Sequence, residues 1–293
     1  IISTSTVNFW EETSVLITQG LNPFYAVRIF DSDVKPRVTY CMNIWFHQNK
    51  TSLDKMWWSV HKSIFGIRNY QVSKHVVSVL SNIWPPSLLY TNQVLMFLHS
   101  IARSADFSNP SNLTIMPQHI TMVRLFLVHN LSIVNRDPDE IKAIYIQYAR
   151  QSSSSTYKKE VDEYCRHLWQ REIKQGLMYS NYSGLEVRNS IMKMLAPYPR
   201  KVSVKTLRVL MNDFEVREVL FRSKKSKTDI CPYCKVVDDT AHFLFSCVSY
   251  QEHRRNFIKE LKNQKIDETL VSLLNCENKY VISALAGFIA SID

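Results

Sequence analysis

Between positions 231 and 247 the chain reads CPYCKVVDDTAHFLFSC, which gathers Cys231, Cys234, His242 and Cys247 in the spacing C-x2-C-x7-H-x4-C. Thiolate sulfur and imidazole nitrogen are the donors that a borderline-soft divalent ion such as Zn²⁺ takes in a four-coordinate tetrahedron. The two-residue gap lets Cys231 and Cys234 turn both sulfurs toward one point around the Pro232-Tyr233 knuckle. His242 and Cys247 are five apart, off a common helical face. That spacing predicts one short helical turn from Thr240, broken at or before Cys247, with Asp238 and Asp239 in the loop before it. Four protein ligands leave no open coordination position, so the expected cofactor is a structural zinc and not a generator of metal hydroxide. His253 lies nearby in YQEHRRNFIKELK and is read as facing solvent or nucleic acid, not the ion.

Charge flanks the cluster on both sides. Arg222, Lys224, Lys225 and Lys227 lead into it, and Arg254, Arg255, Lys259 and Lys262 follow on a segment whose Phe257, Ile258 and Leu261 can pack inward. Cations held by a metal-anchored module can contact phosphates without reading sequence, the alternative for any one of them being solvated surface. Tyr233 is open to two uses, stacking on a base or packing on the metal turn.

The whole chain has the same bias. Thirty-six Lys and Arg against 26 Asp and Glu give a formal charge of +10, which favours a polyanion such as nucleic acid, with an acidic membrane surface as the competitor. At 293 residues and 45% hydrophobic content, one large or two modest cores can be filled. No run of apolar residues is long enough for a bilayer span, and IISTSTVNFWEETSV is not built like a secretory leader, so a soluble intracellular protein with no membrane partner is expected. Cys41, Cys165 and Cys276, the cysteines outside the cluster, are too dispersed for a small disulfide framework, which points to reducing conditions. Five glycines and no GxGxxG or GxxxxGK[ST] loop remove most support for a nucleotide-binding α/β fold. A start at Ile1 reads as a piece of a longer polyprotein.

The elements that must position these residues are mainly α. Leu53, Met56, Trp57, Val60 and Ile64 repeat at helical steps and predict a helix to Phe65, capped by Thr51 or Ser52 and stopped by Gly66. VKPRVTYCMNIW before it suits a buried helix or an extended segment equally. Residues 73–103 read as two helices parted by Pro85-Pro86, and 106–118 as a loop. Asp137-Pro138-Asp139-Glu140 reads as a helix start, and the serines at 152–155 as a linker with a boundary near 152. Helices are further expected over 158–176 and, unbroken, over 204–221.

The cysteine spacing, its AHFLFSC ending and the basic segment after it resemble the C-terminal zinc-binding segment of non-LTR (LINE-like, jockey-type) retrotransposon reverse transcriptases. VKPRVTYCMNIW followed by LDKMWWSVHKSIFGIR is similar to the thumb of such enzymes, with Cys41 where the family has glycine. The resemblance spans about residues 205–265 and, more loosely, 25–105. It implies a thumb-like helical region over 1–105, a helical connector over 106–151, a second helical region over 152–221 and a zinc-stabilised module over 222–293. The family joins nucleotides with paired palm aspartates on a Tyr/Phe-x-Asp-Asp hairpin and two metal ions. No such hairpin is present, and Asp238-Asp239, between the cysteines, cannot stand in for it, so the chain is expected to have no polymerase activity alone.

The implied role is grip: holding template RNA and target DNA during target-primed reverse transcription, beside an upstream palm. Lys62 and Arg68 of the thumb would join the cations of the zinc module, and the location would be nuclear at integration with a cytoplasmic ribonucleoprotein stage. The alternative is a free-standing zinc-stabilised adaptor that binds proteins and catalyses nothing.

Overall fold

A computed structural model describes residues 20–40, 42–67, 72–104, 117–134, 136–178, 180–187 and 191–292. Cys41, Arg68 and most of the loop expected at 106–118 lie outside the described residues. The protein is mainly helical, and the one β feature among the described residues is an isolated antiparallel bridge between Ile230 and Val237. In chain order the helices are α1 (Pro23–Ile29), α2 (Lys35–Thr39), α3 (Met42–Phe65), α4 (Lys74–Ser81), α5 (Pro86–Ser104), α6 (Pro117–Leu131), α7 (Pro138–Gln151) and α8 (Ser154–Leu177). Then follow α9 (Ile191–Leu195), α10 (Arg200–Leu210), α11 (Arg217–Arg222), α12 (Arg255–Asn263), α13 (Leu270–Leu274) and α14 (Lys279–Ser291). A π-helical turn over Phe30–Val34 joins α1 to α2.

Contacts divide the chain into two compact units, one of Ile1–Val38, Ser52–Ile83 and Ile173–Asp293, the other of Thr39–Thr51 and Trp84–Glu172. Neither is continuous, and their limits do not coincide with the boundaries expected at 105, 151 and 221. Long helices are the reason, since α3 and α8 each give residues to both units, and composition carries no mark of that.

The second unit packs α5, α6 and α7 with most of α8 around Phe126, Tyr145, Tyr157 and Trp169, all fully enclosed. Tyr145 and Tyr157 share a hydroxyl–hydroxyl bond of 2.7 Å and both reach the Leu95 carbonyl, which satisfies polar groups that burial would otherwise leave costly. At α7 the expected start holds: Asp137 Oδ1 accepts from the Asp139 and Glu140 amides, and the Glu140 carboxylate accepts from the Asp137 amide. The serines are no linker. Ser152 and Ser153 make a tight turn inside this unit, and the Ser153 hydroxyl accepts from the Thr156 amide to open α8.

The first unit is built on α14, whose Val281, Ile282, Leu285, Ala286, Phe288 and Ile289 are buried, with α9, α10 and α12 against it. A helix this apolar must be enclosed on most sides. Two polar devices tie the unit together. Asn22 caps α1 by accepting from the Phe24 amide, while its Nδ2 donates to the Leu195 and Tyr198 carbonyls (3.1 and 2.7 Å). Arg200 donates to the carbonyls of Leu21, Ser63 and Ile64, completing the end of α3 that Gly66 stops at φ 62°. The helix expected to begin near Thr51 begins instead at Met42, because the ambiguous apolar run before it is helical. The helix expected over 204–221 is two, α10 and α11, parted where Asn212 turns left-handed at φ 55°.

Candidate metal centre

The chain from Asp229 to Asp238 doubles back on itself. The Asp238 amide donates to the Asp229 carbonyl (2.8 Å), the Cys231 amide to the Val236 carbonyl (2.8 Å) and the Lys235 amide to the Cys231 carbonyl (3.0 Å). Lys235 sits at φ 61°, the left-handed residue that closes the knuckle. From Thr240 the backbone makes a helical turn that continues as a π turn over His242–Ser246 and ends at Cys247, which is extended (ψ 124°). The break therefore falls where the five-residue spacing requires it. Asp239 starts the turn by accepting from the His242 amide, and Asp238 Oδ2 accepts from the Arg217 amide at the start of α11. These two carboxylates cap helices, a use that reading them only as loop residues missed.

The four candidate ligand atoms lie within 4.8 Å of one another, with Cys231, His242 and Cys247 buried and Cys234 partly so. Cys247 Sγ is 3.8 Å from Cys231 Sγ and 3.9 Å from Cys234 Sγ. Two sulfurs held about 2.3 Å from a tetrahedral ion stand about 3.8 Å apart, whereas a disulfide needs about 2.05 Å. His242 Nε2 is buried with no hydrogen-bond partner, while Nδ1 is 3.0 Å from the Ser246 hydroxyl. An imidazole that donates from Nδ1 presents a lone pair at Nε2, so the orphaned atom is the one a metal would satisfy. The Val248 amide also donates to Cys234 Sγ (3.4 Å), the kind of bond that stabilises a thiolate.

Electrostatics pull the cysteines apart. Burial pushes the Cys231 thiol up, but the Cys234 and Tyr233 amides and the His242 and Cys247 side chains outweigh it and hold the group at about 7. Cys247 is pushed up to about 11, first by burial and then by the sulfurs of Cys231 and Cys234. Three thiolates at one point repel, and a divalent cation relieves that repulsion. The four residues together can hold one metal ion, and their donors and spacing are compatible with zinc.

The cations are placed unequally. Arg255 and Lys259 of α12 line an open groove of about 670 Å³ with Lys262, Phe245 and Val248, and no carboxylate is in its lining. Arg254 also lines the groove, though it is 6% exposed and its guanidinium donates to the Cys247 carbonyl. The reason is that α12 opens one residue later, leaving Arg254 in the preceding turn with its side chain folded against the last ligand. Arg222 is exposed and bonded to Glu218, and Lys224, Lys225 and Lys227 are exposed on the loop into Cys231, none of them in the groove lining. Lys62 is half-buried near the end of α3. His253 is exposed, as expected, and Tyr233 is 68% exposed instead of packed on the turn.

The centre rests on an aromatic stack. Phe243, between His242 and Leu244, meets Phe214, Tyr250 and Phe288 at 4.8, 5.0 and 5.3 Å, and Phe257 of α12 lies parallel to Phe288 at 6.2 Å. The metal turn is thereby joined to α14. Among the described residues no helix is long and apolar enough to cross a membrane. No protein-family model matches the chain, and no curated protein or solved structure matches it either.

Proposed function

We propose that the chain is the nucleic-acid-binding C-terminal portion of a LINE-like RNA-directed DNA polymerase, with a structural zinc at Cys231, Cys234, His242 and Cys247. In this reading residues 1–105 serve as thumb, 106–151 as connector and the metal module as a clamp on template RNA and target DNA. The observation that carries it is the groove beside the metal centre, which collects Arg254, Arg255, Lys259 and Lys262 with no carboxylate in its lining, Arg255 alone of the exposed three pairing with Glu252 outside it (2.7 Å). Such a lining suits a phosphate backbone, and the aromatic Phe245 on its wall suits the apolar face of a base. The zinc fixes the turn that precedes α12 and so fixes where those cations point.

Binding of a labelled single-stranded RNA as a function of salt tests the proposal. Each phosphate contact adds about one to the slope of log affinity against log salt, so Lys259→Gln with Lys262→Gln is expected to lower the slope by about two. An unchanged slope would remove the groove from the interface.

One observation favours the adaptor reading. Tyr233, Val236, Val237 and Val248 are 68, 49, 45 and 59% exposed, and valines offer nothing to a phosphate. Protein association that ignores salt while RNA binding stays weak would decide for it.

A further inference from the structure

We infer that the first unit holds a second binding site, for a small organic anion carrying an aromatic or branched apolar group. A half-open cavity of about 500 Å³ is lined by α1, the C-terminal end of α4 and α9, and shares no residue with the groove at the metal centre. That volume falls in the range of sites that enclose a single small molecule. Its floor is apolar, formed by Val27, Ile83 and Met192, each buried. Phe24 and Tyr25 supply an aromatic wall, edge to face at 5.2 Å, with Tyr25 half exposed at the rim.

Charge decides the rest of the ligand. Arg28 lies four residues after Phe24 and three after Tyr25, on the same face of α1, and Lys193 enters from α9. Asp31 is the one carboxylate in the lining, and it is engaged by Lys35. Among the described residues neither Arg28 nor Lys193 has a carboxylate partner, so both cations at this largely apolar cavity are open to an anion. The last carbonyls of α4, at Ser81 and Asn82, carry partial negative charge and set the polarity of the site: the anion lies toward Arg28 and Lys193 and away from Asn82. The walls are fixed before any ligand arrives, because Asn22 clamps α1 to the Leu195 and Tyr198 carbonyls of α9 and its following turn. Preorganisation of this kind lowers the entropy lost on binding.

Carboxylate and phosphate monoester share this anionic chemistry, and simple probes separate the two. The full chain, labelled at methionine and isoleucine methyls, is titrated by NMR with phenylacetate, phenyl phosphate and the neutral benzyl alcohol. Saturable shifts at Ile83 and Met192 are expected with at least one anion, with benzyl alcohol at least about tenfold weaker. Response to phenyl phosphate alone identifies a phosphate ester as the ligand class, and to phenylacetate alone a carboxylate. Arg28→Gln and Lys193→Gln, both at exposed positions, are each expected to weaken anion binding about tenfold with an otherwise unchanged spectrum. No saturable shift up to about 10 mM, equal binding of benzyl alcohol, or indifference to both substitutions overturns the site.

Discussion

His242 uses its two ring nitrogens for different ends, and the division is testable. Nε2 is buried without a partner while Nδ1 meets the Ser246 hydroxyl, and a hydroxyl that accepts from Nδ1 selects the tautomer that leaves Nε2 a lone pair for an ion. Ser246→Ala is expected to lower metal affinity about tenfold, read by competition against a chromophoric chelator, whereas Cys234→Ser abolishes tight binding. Equal affinity of Ser246→Ala and the parent would show that the hydroxyl is a bystander. A second histidine carries a pH signature. His61 is enclosed among Phe30, Trp57 and Phe65, with Nδ1 on the Trp57 carbonyl at 2.7 Å, and burial lowers it from 6.5 to about 4 against that bond. The folded state thus resists a proton that the unfolded chain accepts. Its stabilising share is complete above pH 6.5 and is lost as pH falls toward 4, about 3 kcal/mol across that window. His61→Leu is expected to flatten the difference in urea midpoint between pH 7 and pH 4.5. A parallel loss in parent and variant would mean that His61 does not titrate this way.

At the scale of elements, close approach of α8 to α4 depends on a missing side chain. A Cβ at Gly176 would stand 2.3 Å from His75 Nε2, so alanine there must displace the ring. Gly→Ala inside a helix otherwise stabilises by about 1 kcal/mol. Gly176→Ala is therefore expected to destabilise the parent by about 1 kcal/mol yet stabilise a His75→Ala background, a sign change that thermal or urea melts of the four proteins of the cycle will show. The same cycle with one sign throughout would mean that the ring moves freely. Which elements were legible follows a pattern. The start of α7 was readable because Asp137-Pro138 and Glu140 act within one turn, and so was the metal turn, whose ligand spacing is itself geometry. The break between α10 and α11 was not, since Asn212 at φ 55° and the buried Arg208–Asp213 pair (3.1 Å) that settles the turn are products of packing. The hub α14 was overlooked although KYVISALAGFIAS is nearly all apolar, because an apolar run without periodicity does not say what it is enclosed by.

At the scale of the molecule, the candidate metal centre and α14 are expected to stand or fall together. The ligands and α12 together span about residues 228–262, and a self-contained finger would confine the effect of losing a metal to that segment. The aromatic stack argues for a wider reach: Phe243 sits inside the metal turn, Phe257 follows it on α12, and both lie against Phe288 of α14. With zinc bound as proposed, release of the four ligands would take from the thiolates and the π turn what holds them, since a structural zinc contributes roughly 10 kcal/mol or more to folding of such a module. Phe288 would then lose two ring partners in a helix that also supports α9 and α10. The second unit has its own enclosed core around Phe126, Tyr145, Tyr157 and Trp169 and owes nothing to those rings. Amide hydrogen exchange on the full chain, with and without a zinc chelator, separates the possibilities. Chelation is expected to remove protection from α12, α14 and α10 while α5, α6 and α7 keep theirs. Loss confined to 228–262 would restore the picture of a detachable finger, and loss everywhere would show that the two units fold as one.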